Sequence, residues 1–584
     1  MLLKERKVAL DLRSWKRDWT LMSVFFNGEE IASITERLKN LDVGTLAFCS
    51  YENRFARSGG LAAVTTRILP YLKEANRIPR VVLVTPFHSE IISESSLKNT
   101  GVSFPVSVNS RTVVVEVHEY TWDYRQPSKG SLKEYYLKAG GFFNARNTLG
   151  DPYTHDPDDP VRNAALQNEN ALFFCKAVPL ALSALGIRKD IVFHLQEWQT
   201  SLVALTAKEA MLSGTLHSCG TVQTMHNSYD SPVTRAELSR LVDGPRKQKI
   251  LGLPDNGLSA YRIALQLVDG PITTVSEQFA KELTSDIIQA EHYAPHLQRI
   301  MSASGVLGVN NGMFVDLDPT YTRGEHSTID EVKAIKLKNR KALLRILSSY
   351  RPRERFGDLT YGGRTISRLP DTIPIVVMSG RLDPIQKGFF VFLRALETFA
   401  TDEIKAVVTP LPVNPDDLDY FYEVACKCKG NLTVFPVRMR KGFRELQTGA
   451  TFGIMPSIYE PFGAAVEYMA SGTVNIARAT GGLVDQIDSS CGFLFREDAV
   501  FYTPEHMHDY VDTSHIIQVR KTNPWAQSMA DSLSQALRRA SGMYQNNPAE
   551  YHRMILNGFR KVKQFTWEES ARTYYQIYTM IKSS

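Results

Sequence analysis

One repeated pattern constrains this fold more than any other feature: a short apolar run, then a glycine-rich turn, then a helical pattern. Phe452 to Met455 predicts a buried strand that ends at Pro456-Ser457, and a helical pattern follows from Ala464 to Ala470. Val474 to Ala477 predicts a second strand, which leads into the turn Thr480-Gly481-Gly482-Leu483. Strands that alternate with helices predict a largely parallel sheet covered by helices. In such a sheet, ligands bind at the carboxyl ends of the strands.

The two turns carry groups that suit a ligand. Glu460 follows the first predicted strand, in a turn that also contains Gly463. Thr480, Gly481 and Gly482 form the second turn, where glycine lets backbone N–H groups approach an anionic or sugar ligand closely. Taken singly, each turn favours a plainer interpretation, in which glycine serves only the geometry of the turn. Taken as one block, they predict a ligand site around Glu460.

The same pattern near the beginning of the chain adds a positive charge. Thr45 to Ser50 predicts a strand, and a helical pattern runs from Ala62 to Leu72. Between them lie Arg57 and the pair Gly59-Gly60. Glycine exposes backbone N–H groups, the following helix contributes its positive N-terminal end, and arginine adds a fixed charge. The turn therefore predicts an anion site.

A third strand-to-helix turn carries two cations. Ile373 to Met378 predicts a strand, Arg381 and Lys387 follow it, and a helix begins near Phe389. Arginine binds phosphoryl oxygens in a bidentate manner and lysine supplies a point charge, so the pair suits a phosphate ligand. Two unrelated surface cations are the alternative interpretation when this turn is taken by itself.

Two more predicted strands end in polar side chains. Asp190 to His194 leads into Glu197 and Trp198, and Gly220 to Met225 leads into His226. A carboxylate such as that of Glu197 accepts hydrogen bonds from sugar hydroxyls. A lone histidine is more often structural, but the position at the carboxyl end of a strand favours a functional role for His226.

Composition argues against several classes of protein. The net charge of +6, from 68 basic and 62 acidic residues, is small for a chain of 584 residues, so neither a nucleic-acid-binding nor a membrane-surface protein is predicted. No apolar run reaches the length of a membrane span. The cysteines lack the spacing of a zinc or redox site, and Cys49, Cys175 and Cys219 lie among apolar or small residues. We therefore expect buried free thiols, no metal and a reducing, cytoplasmic setting.

Two segments interrupt the alternation. Residues 119–160 are rich in aromatic side chains, which suit either a sugar-stacking acceptor surface or a long loop held by its own aromatic packing; the second interpretation is favoured. Thr328 to Leu347 predicts a helix that begins with a capping box of Thr328 and Glu331. The following residues, 348–370, are rich in Arg, Gly and Pro and mark the clearest domain boundary.

In their order along the chain, these motifs resemble those of the bacterial glycogen synthase and plant starch synthase family. The resemblance spans about Thr45 to Tyr578, and its motifs are F-A-R-S-G-G-L at 55–61, S-G-R-L-D-P-I-Q-K-G at 379–388, P-S-I-Y-E-P-F-G at 456–463, T-G-G-L at 480–483 and F-T-W-E-E-S-A at 565–571. It implies an α/β protein with the GT-B fold, in which two Rossmann-like domains face each other across a cleft and a C-terminal helix crosses back to the first domain.

The resemblance implies five regions along the chain. They are an N-terminal extension at 1–43, an N-terminal Rossmann-like domain of the starch synthase catalytic type at 44–348, a linker at 349–370, a C-terminal nucleotide-sugar-binding domain at 371–545, and C-terminal helices at 546–584.

The resemblance also implies a reaction. A retaining hexosyltransferase of this kind moves glucose from ADP-glucose or UDP-glucose to the non-reducing end of an α-1,4-glucan, without a metal or other cofactor. Glu460 and His226 would contact the sugar, and Arg381 and Lys387 would neutralise the leaving diphosphate. The implied donor-binding residues are Arg57, Gly59, Gly60, Gly463, Thr480, Gly481 and Gly482, and the implied acceptor-side residues are Glu197 and Trp198. The sequence leaves open whether the chain forms an oligomer.

Departures from the family pattern keep two alternatives open. Ala63 stands where the family usually has aspartate, and Glu197 replaces an aspartate of the H-x-H-D-W-H motif. One residue is inserted between Arg381 and Lys387, and the interval from Glu460 to Gly472 is one residue shorter. A glucan-binding regulatory pseudoenzyme is the first alternative. The second is a related GT-B glycosyltransferase with another donor or a small-sugar acceptor.

Overall fold

The computed structural model describes residues 19–108, 111–146, 150–254, 256–314, 327–351, 353, 356–362, 369–383, 385–400, 402–412, 415–428, 430–439, 441–512 and 522–583. The chain forms two compact units. The first comprises Met1–Phe314 together with Thr566–Ser584, and the second comprises Val315–Phe565. Within the described ranges, no helix is both long enough and apolar enough to cross a membrane.

The first unit is built on a sheet that has nine strands among the described residues, in the order β3-β4-β5-β2-β1-β6-β7-β8-β9. The β3–β4 and β4–β5 pairs are antiparallel, and the other neighbours are parallel. The strands are β1 (Thr45–Cys49), β2 (Arg80–Pro86), β3 (Lys98–Val108), β4 (Arg111–Tyr124), β5 (Gly130–Ala139), β6 (Ile191–Gln196), β7 (Cys219–Met225), β8 (Ile272–Thr274) and β9 (Val306–Gly308).

Helices cover this sheet, so β1, β6 and β7 are buried along their whole length. The α-helices among the described residues of the first unit are Gly28–Lys39, Leu61–Asn76, Pro160–Ala184, Trp198–Ser201, Val203–Leu212, Arg235–Leu238, Pro245–Leu251, Ala260–Ala264, Glu277–Ser285, Gln298–Ser304 and Trp567–Met580. Cys49, Cys175 and Cys219 are buried free thiols, as predicted.

The aromatic segment 119–160 is not mainly a loop, because much of it lies in β4 and β5. Its aromatic side chains nevertheless serve packing, as the favoured interpretation predicts. Tyr136, Phe142 and Phe143 are buried, and the rings of Phe142 and Phe173 stack with their centroids 3.8 Å apart. The β-strand alternation was missed because aromatic and polar residues obscured it.

The helix Trp567–Met580 completes the first unit, which confirms the predicted return of the C-terminal helix. It packs on the helix Leu61–Asn76. The Trp567 indole N–H donates to the Met313 carbonyl at 2.6 Å, and the Ser570 hydroxyl donates to the Asn310 carbonyl at 2.5 Å.

The second unit has a sheet with seven strands among its described residues, in the order β10-β13-β12-β11-β14-β15-β16, and only the β10–β13 pair is antiparallel. The strands are β10 (Tyr361–Gly362), β11 (Ile375–Arg381), β12 (Lys405–Leu411), β13 (Leu432–Val434), β14 (Phe452–Met455), β15 (Val474–Arg478) and β16 (Gly492–Phe495). The α-helices that the structure describes in this unit are Ile329–Ser349, Phe389–Leu396, Asp419–Lys427, Phe443–Gly449, Ala465–Ala470, Gly482–Gln486, Pro504–Asp512, Pro524–Asn546 and Pro548–Val562.

The observed division differs from the domain boundaries expected from sequence. The helix Ile329–Ser349 begins with the predicted capping box, but it belongs to the second unit rather than the first. It packs on the helix Phe443–Gly449, and the Lys336 Nζ donates to the Thr448 and Gly472 carbonyls at 2.9 and 2.8 Å. The helix Pro548–Val562 also belongs to the second unit. Both sheets have the Rossmann-like order expected of the GT-B fold.

Candidate active site

Glu460 lies in the turn after β14 and has only 7% of its surface exposed. Its carboxylate accepts hydrogen bonds from the Lys387 ammonium at 3.0 and 2.7 Å and from the Ser457 hydroxyl at 3.0 Å. The structure therefore brings together two residues that the sequence predicted separately, one from each of two strand-to-helix turns. This ion pair fixes the carboxylate and the ammonium at the carboxyl ends of neighbouring strands.

Glycine allows the two predicted donor turns to pack backbone against backbone. At Gly481, where φ is +46°, a Cβ atom would lie 1.9 Å from the Glu460 carbonyl oxygen. At Gly482 a Cβ atom would lie 2.3 Å from the Phe462 carbonyl oxygen, and the Gly482 N–H donates to the Glu460 carbonyl at 2.9 Å. Buried Thr480 precedes this pair, and Gly463 closes the Glu460 turn. A side chain at 481 would displace the Glu460 backbone, and one at 482 would displace the Phe462 backbone.

The loop that carries the two cations is held against the Glu460 turn. The Asp383 carboxylate accepts the N–H groups of Ile385 and Gln386 at 2.9 and 2.7 Å, which closes the loop. The Gln386 carbonyl accepts the Ile458 N–H at 2.8 Å. Arg381 ends β11 with 51% of its side chain exposed and its guanidinium 4.0 Å from the Asp383 carboxylate. Arg381 thus keeps an accessible guanidinium, whereas Lys387 is already paired with Glu460.

Arg478 and Glu497 brace the same turn, and sequence reasoning missed them. The Arg478 guanidinium pairs with Glu497 and donates to the Ile458 carbonyl at 2.6 Å. Burial raises the pKa of Glu497, but the charge and hydrogen bonds of Arg478, together with the hydrogen bonds from the backbone and Trp525, outweigh burial and lower that pKa to about 2. A single arginine at the end of a strand forms no motif, so only the fold reveals this contact.

In the first unit, Glu52 occupies backbone N–H groups of the glycine turn. One carboxylate oxygen accepts the N–H groups of Ser58 and Gly59 at 3.0 Å each and that of Ala62 at 3.3 Å. The Tyr153 hydroxyl donates to the other oxygen at 3.0 Å. Burial raises the pKa of Glu52, although these hydrogen bonds oppose the rise. The predicted anion site therefore already holds a carboxylate of the protein, and the Gly59 N–H is committed to it.

The predicted residues of this turn nevertheless lie at the surface. Arg57, Gly59 and Gly60 are exposed. The Arg57 backbone N–H donates to the Gly150 carbonyl at 3.0 Å, and the side-chain Nε donates to the Arg54 carbonyl at 2.6 Å. The Arg57 side chain is thus oriented by its own loop while it stays open to solvent.

Glu197 and His226 meet where β6 and β7 end. A Glu197 carboxyl oxygen accepts the His226 backbone N–H at 2.6 Å, and the Tyr261 hydroxyl lies 3.4 Å from the other oxygen. The His226 Nε2 lies 2.8 Å from the Gln196 side-chain oxygen. Burial, with Glu52 adding to it, raises the pKa of Glu197 to about 8, and burial lowers the pKa of His226 to about 4. Both side chains are therefore neutral at pH 7.

Glu197 also adopts an uncommon backbone conformation, with φ +63° and only 5% of its surface exposed. Non-glycine residues at positive φ are strained by about 1–3 kcal/mol and cluster at functional sites. This backbone conformation places the carboxyl group beside the end of β7, where it accepts the His226 N–H.

Two other residues of this segment lie in packed surroundings. Trp198 packs against the hydrophobic core of the first unit. His194 is buried between the Tyr578 hydroxyl and the Thr224 hydroxyl, each 2.7 Å from one of its ring nitrogens. Burial lowers the pKa of His194 to about 3, so it is a neutral structural residue. An acceptor-side role for Trp198 remains a prediction.

Sequence reasoning also missed Glu52, Gln196 and Tyr261, which contact predicted residues, and Tyr153, which contacts Glu52. Glu52 and Gln196 lie at or just beyond the ends of β1 and β6, so the strand-end argument that singled out Glu460 applied to them as well. Tyr153 and Tyr261 come from distant connections, and no local pattern marks them.

Comparison with known proteins agrees with this arrangement. Residues 45–299 match the starch synthase catalytic domain family, and residues 364–511 match glycosyl transferases group 1. The glycogen synthase of Geotalea uraniireducens is 26% identical over 482 residues, which cover 79% of this chain and 88% of that protein. The glycogen synthase of Thermotoga petrophila is 25% identical over 567 residues, which cover 91% and 98%. This chain is a divergent member of the glycogen/starch synthase family.

The fold of this glycogen/starch synthase family member agrees with a solved relative. The catalytic domain of Starch Synthase IV from Arabidopsis thaliana, bound to ADP and acarbose, superposes with a TM-score of 0.67 at 19% identity, and the match covers 93% of this chain and 100% of that one. The predicted GT-B class is confirmed, and the protein is a glycosyltransferase.

Proposed function

We propose that this protein transfers glucose from a nucleotide sugar to the non-reducing end of an α-1,4-glucan with retention of the anomeric configuration. The observation that carries the proposal is the Glu460 turn, in which a nearly buried carboxylate is joined to Lys387 and packed on the Gly481-Gly482 turn. Family membership supports glucosyl transfer. The intact Glu460 turn supports the view that this divergent member still binds a nucleotide-sugar donor.

The residues of the second unit supply charge for the donor. Loss of a nucleoside diphosphate places negative charge on the leaving oxygens, and preorganised cations stabilise that charge. Arg381, with its accessible guanidinium, binds the diphosphate, and Lys387 contributes a second charge beside it. Glu460, held by Lys387 and Ser457, orients the sugar hydroxyls. The proposal needs no metal and no other cofactor.

The residues of the first unit contribute polar contacts. Neutral His226 offers a hydrogen bond to the sugar, and Arg57 adds an exposed cation. Glu197, protonated at pH 7, acts as a neutral hydrogen-bonding group rather than as a charged one. We expect the protein to work in the cytoplasm, since all six cysteines are free thiols. The nucleotide base and the oligomeric state are left open.

The direct test is nucleotide release by the purified protein with glycogen and either ADP-glucose or UDP-glucose. Release that depends on both donor and glycogen would establish the synthase and identify the donor. If neither donor releases nucleotide but the protein still binds glycogen, the regulatory pseudoenzyme would be favoured. Product analysis separates polymer synthesis from transfer to a small sugar.

Lys387→Ala should lower turnover at least about 100-fold, because it removes a charge that acts on the leaving group and leaves Glu460 without its partner. Arg381→Ala should act in the same direction. Lys427→Ala is the matched control, since Lys427 is an exposed lysine of the same unit that pairs with Glu423. Near wild-type turnover in Lys387→Ala or Arg381→Ala would contradict the assignment.

A further inference from the structure

Three consecutive side chains tie the glycine turn of the first unit to three different anchors. The Glu52 carboxylate accepts the backbone N–H groups of Ser58, Gly59 and Ala62 and so holds the turn in place. The Asn53 side-chain oxygen accepts the N–H groups of Phe55 and Ala56 at 3.0 Å each, and its amide donates to the Thr85 hydroxyl at 3.0 Å. Asn53 thereby ties the loop to β2.

Arg54 ties the loop to the hairpin of β4 and β5. Its Nε lies 3.0 and 2.9 Å from the two carboxylate oxygens of Glu134, and a terminal nitrogen lies 2.5 Å from one of them. The guanidinium lies 4.8 Å from the Tyr120 ring centroid and 4.4 Å from that of Trp122. Tyr120 and Glu134 face each other across the β4–β5 pair. The guanidinium is therefore held at once by a buried carboxylate and by two aromatic rings of one hairpin face.

The contact with both Glu134 oxygens and the stacking on the two rings favour arginine over lysine at position 54. The Glu134 side chain is 1% exposed, and its carboxylate also accepts a hydrogen bond from the Tyr136 hydroxyl at 2.6 Å. This second contact fixes the orientation of the carboxylate independently of Arg54. A planar guanidinium matches both carboxylate oxygens while it lies on aromatic faces, whereas an ammonium is a point charge that can do neither well. Lysine at position 54 would keep the charge and lose the geometry.

We infer that Arg54 is a positioning residue for the nucleotide-sugar site, an inference that rests on the proposed function. The Arg54 carbonyl accepts a hydrogen bond from Arg57 Nε, so a displaced Arg54 backbone would release the cation that the proposed function assigns to the donor. The residues between β1 and the helix Leu61–Asn76 form turns and bends rather than a regular element. Anchoring by Arg54 lowers the entropy that the loop would otherwise lose when the donor binds.

The test compares Arg54→Lys with Arg246→Lys in the full-length protein. Arg246 is a matched control because its guanidinium also pairs with carboxylates, those of Glu30 and Glu209, and lies 4.1 Å from the Phe26 ring centroid. It anchors the helix Gly28–Lys39 instead of the glycine turn. Glu134→Gln is a second variant, which keeps the shape of the side chain and removes its charge.

Two readouts distinguish positioning from general stability. Hydrogen exchange without donor should be about tenfold faster in peptides covering residues 55–62 for Arg54→Lys and unchanged there for Arg246→Lys, because Arg54, unlike Arg246, restrains this loop. The donor KM should rise about tenfold for Arg54→Lys with kcat nearly retained, since a loop that binds substrate and transition state alike affects binding more than chemistry. Glu134→Gln should change both readouts in the same direction.

Unchanged exchange in residues 55–62 would overturn the inference, whatever the activity. Faster exchange with an unchanged donor KM would also overturn it, because the loop would then be ordered by Arg54 without serving the donor. A wild-type protein that turns over neither ADP-glucose nor UDP-glucose would instead sink the proposed function. In that case Kd values for ADP and UDP replace KM, and equal values in wild type and Arg54→Lys would overturn the inference.

Discussion

Replacing Glu197 by glutamine should remove a pH-dependent loss of stability from the first unit. Burial and the neighbouring Glu52 raise the pKa of Glu197 from 4.5 to about 8. Between these values the unfolded chain has lost the proton while the folded chain keeps it, so the folded state binds more protons. The free energy of unfolding therefore falls as pH rises from about 4.5 to 8, and the penalty is absent below that window.

The size of the effect follows from the shift. Each pKa unit corresponds to about 1.4 kcal/mol, so Glu197 lowers the free energy of unfolding by about 3 kcal/mol at pH 7 and by less than about 1 kcal/mol at pH 5. Glutamine keeps the size of the side chain, and its carbonyl oxygen can accept the His226 N–H that Glu197 accepts at 2.6 Å. The free energy of unfolding of Glu197→Gln, relative to that of the wild type, should therefore be about 2 kcal/mol higher at pH 7 than at pH 5.

Urea unfolding of both proteins at pH 5 and pH 7 measures this gain, with hydrogen exchange in peptides from β6 and β7 to assign the transition to the first unit. Glu29→Gln is the control, because Glu29 is exposed in the first turn of the helix Gly28–Lys39. A difference between Glu197→Gln and wild type that is the same at both pH values would refute the reasoning, as would a loss of stability confined to pH 7.

Three further perturbations test the packing around the two sites. Gly481→Ala should lower the free energy of unfolding by about 2 kcal/mol more than Gly430→Ala and impair turnover, since both positions have positive φ but only at 481 does a described backbone atom occupy the Cβ space; thermal unfolding measures the difference. Burial holds the pKa of Lys336 well below 10.5, so the unfolded chain binds more protons and stability should rise with pH toward 10.5. Lys336→Met should remove that rise in scans between pH 7 and pH 10, and an unchanged slope would contradict it. Tyr578→Phe should cost about 1–2 kcal/mol by leaving the His194 ring nitrogen unpaired, which urea unfolding would detect.

Much of the fold could be predicted because its determinants are local. Apolar runs such as 452–455 and glycine pairs such as Gly481-Gly482 encode strands and turns within a few residues, and the structure contains β14 and the turn as predicted. The hairpin of β4 and β5 was harder, because its aromatic side chains pack against distant residues and its alternation is irregular.

The candidate site was predictable where function requires a residue type at a strand end. Glu460, Lys387 and His226 were predicted in this way, and the structure joins Glu460 to Lys387, while their roles stay predictions. That Lys387 pairs with Glu460, and that Glu52 fills the N–H groups of the glycine turn, depends on side-chain contacts between segments far apart in sequence. Local patterns do not encode such contacts, and neither of these pairings was predicted.

The helix Trp567–Met580 has a consequence for how the chain acquires its structure during synthesis. The sheet of the first unit is translated early, yet His194 and Thr224 in its centre meet their tyrosine partners only after Tyr574 and Tyr578 have left the ribosome. The second unit is continuous in sequence and can fold while the first still lacks this helix. The first unit therefore completes its fold after the second, although most of it is translated earlier. Until the helix Trp567–Met580 packs on the helix Leu61–Asn76, the apolar surface beneath it is exposed and prone to aggregation.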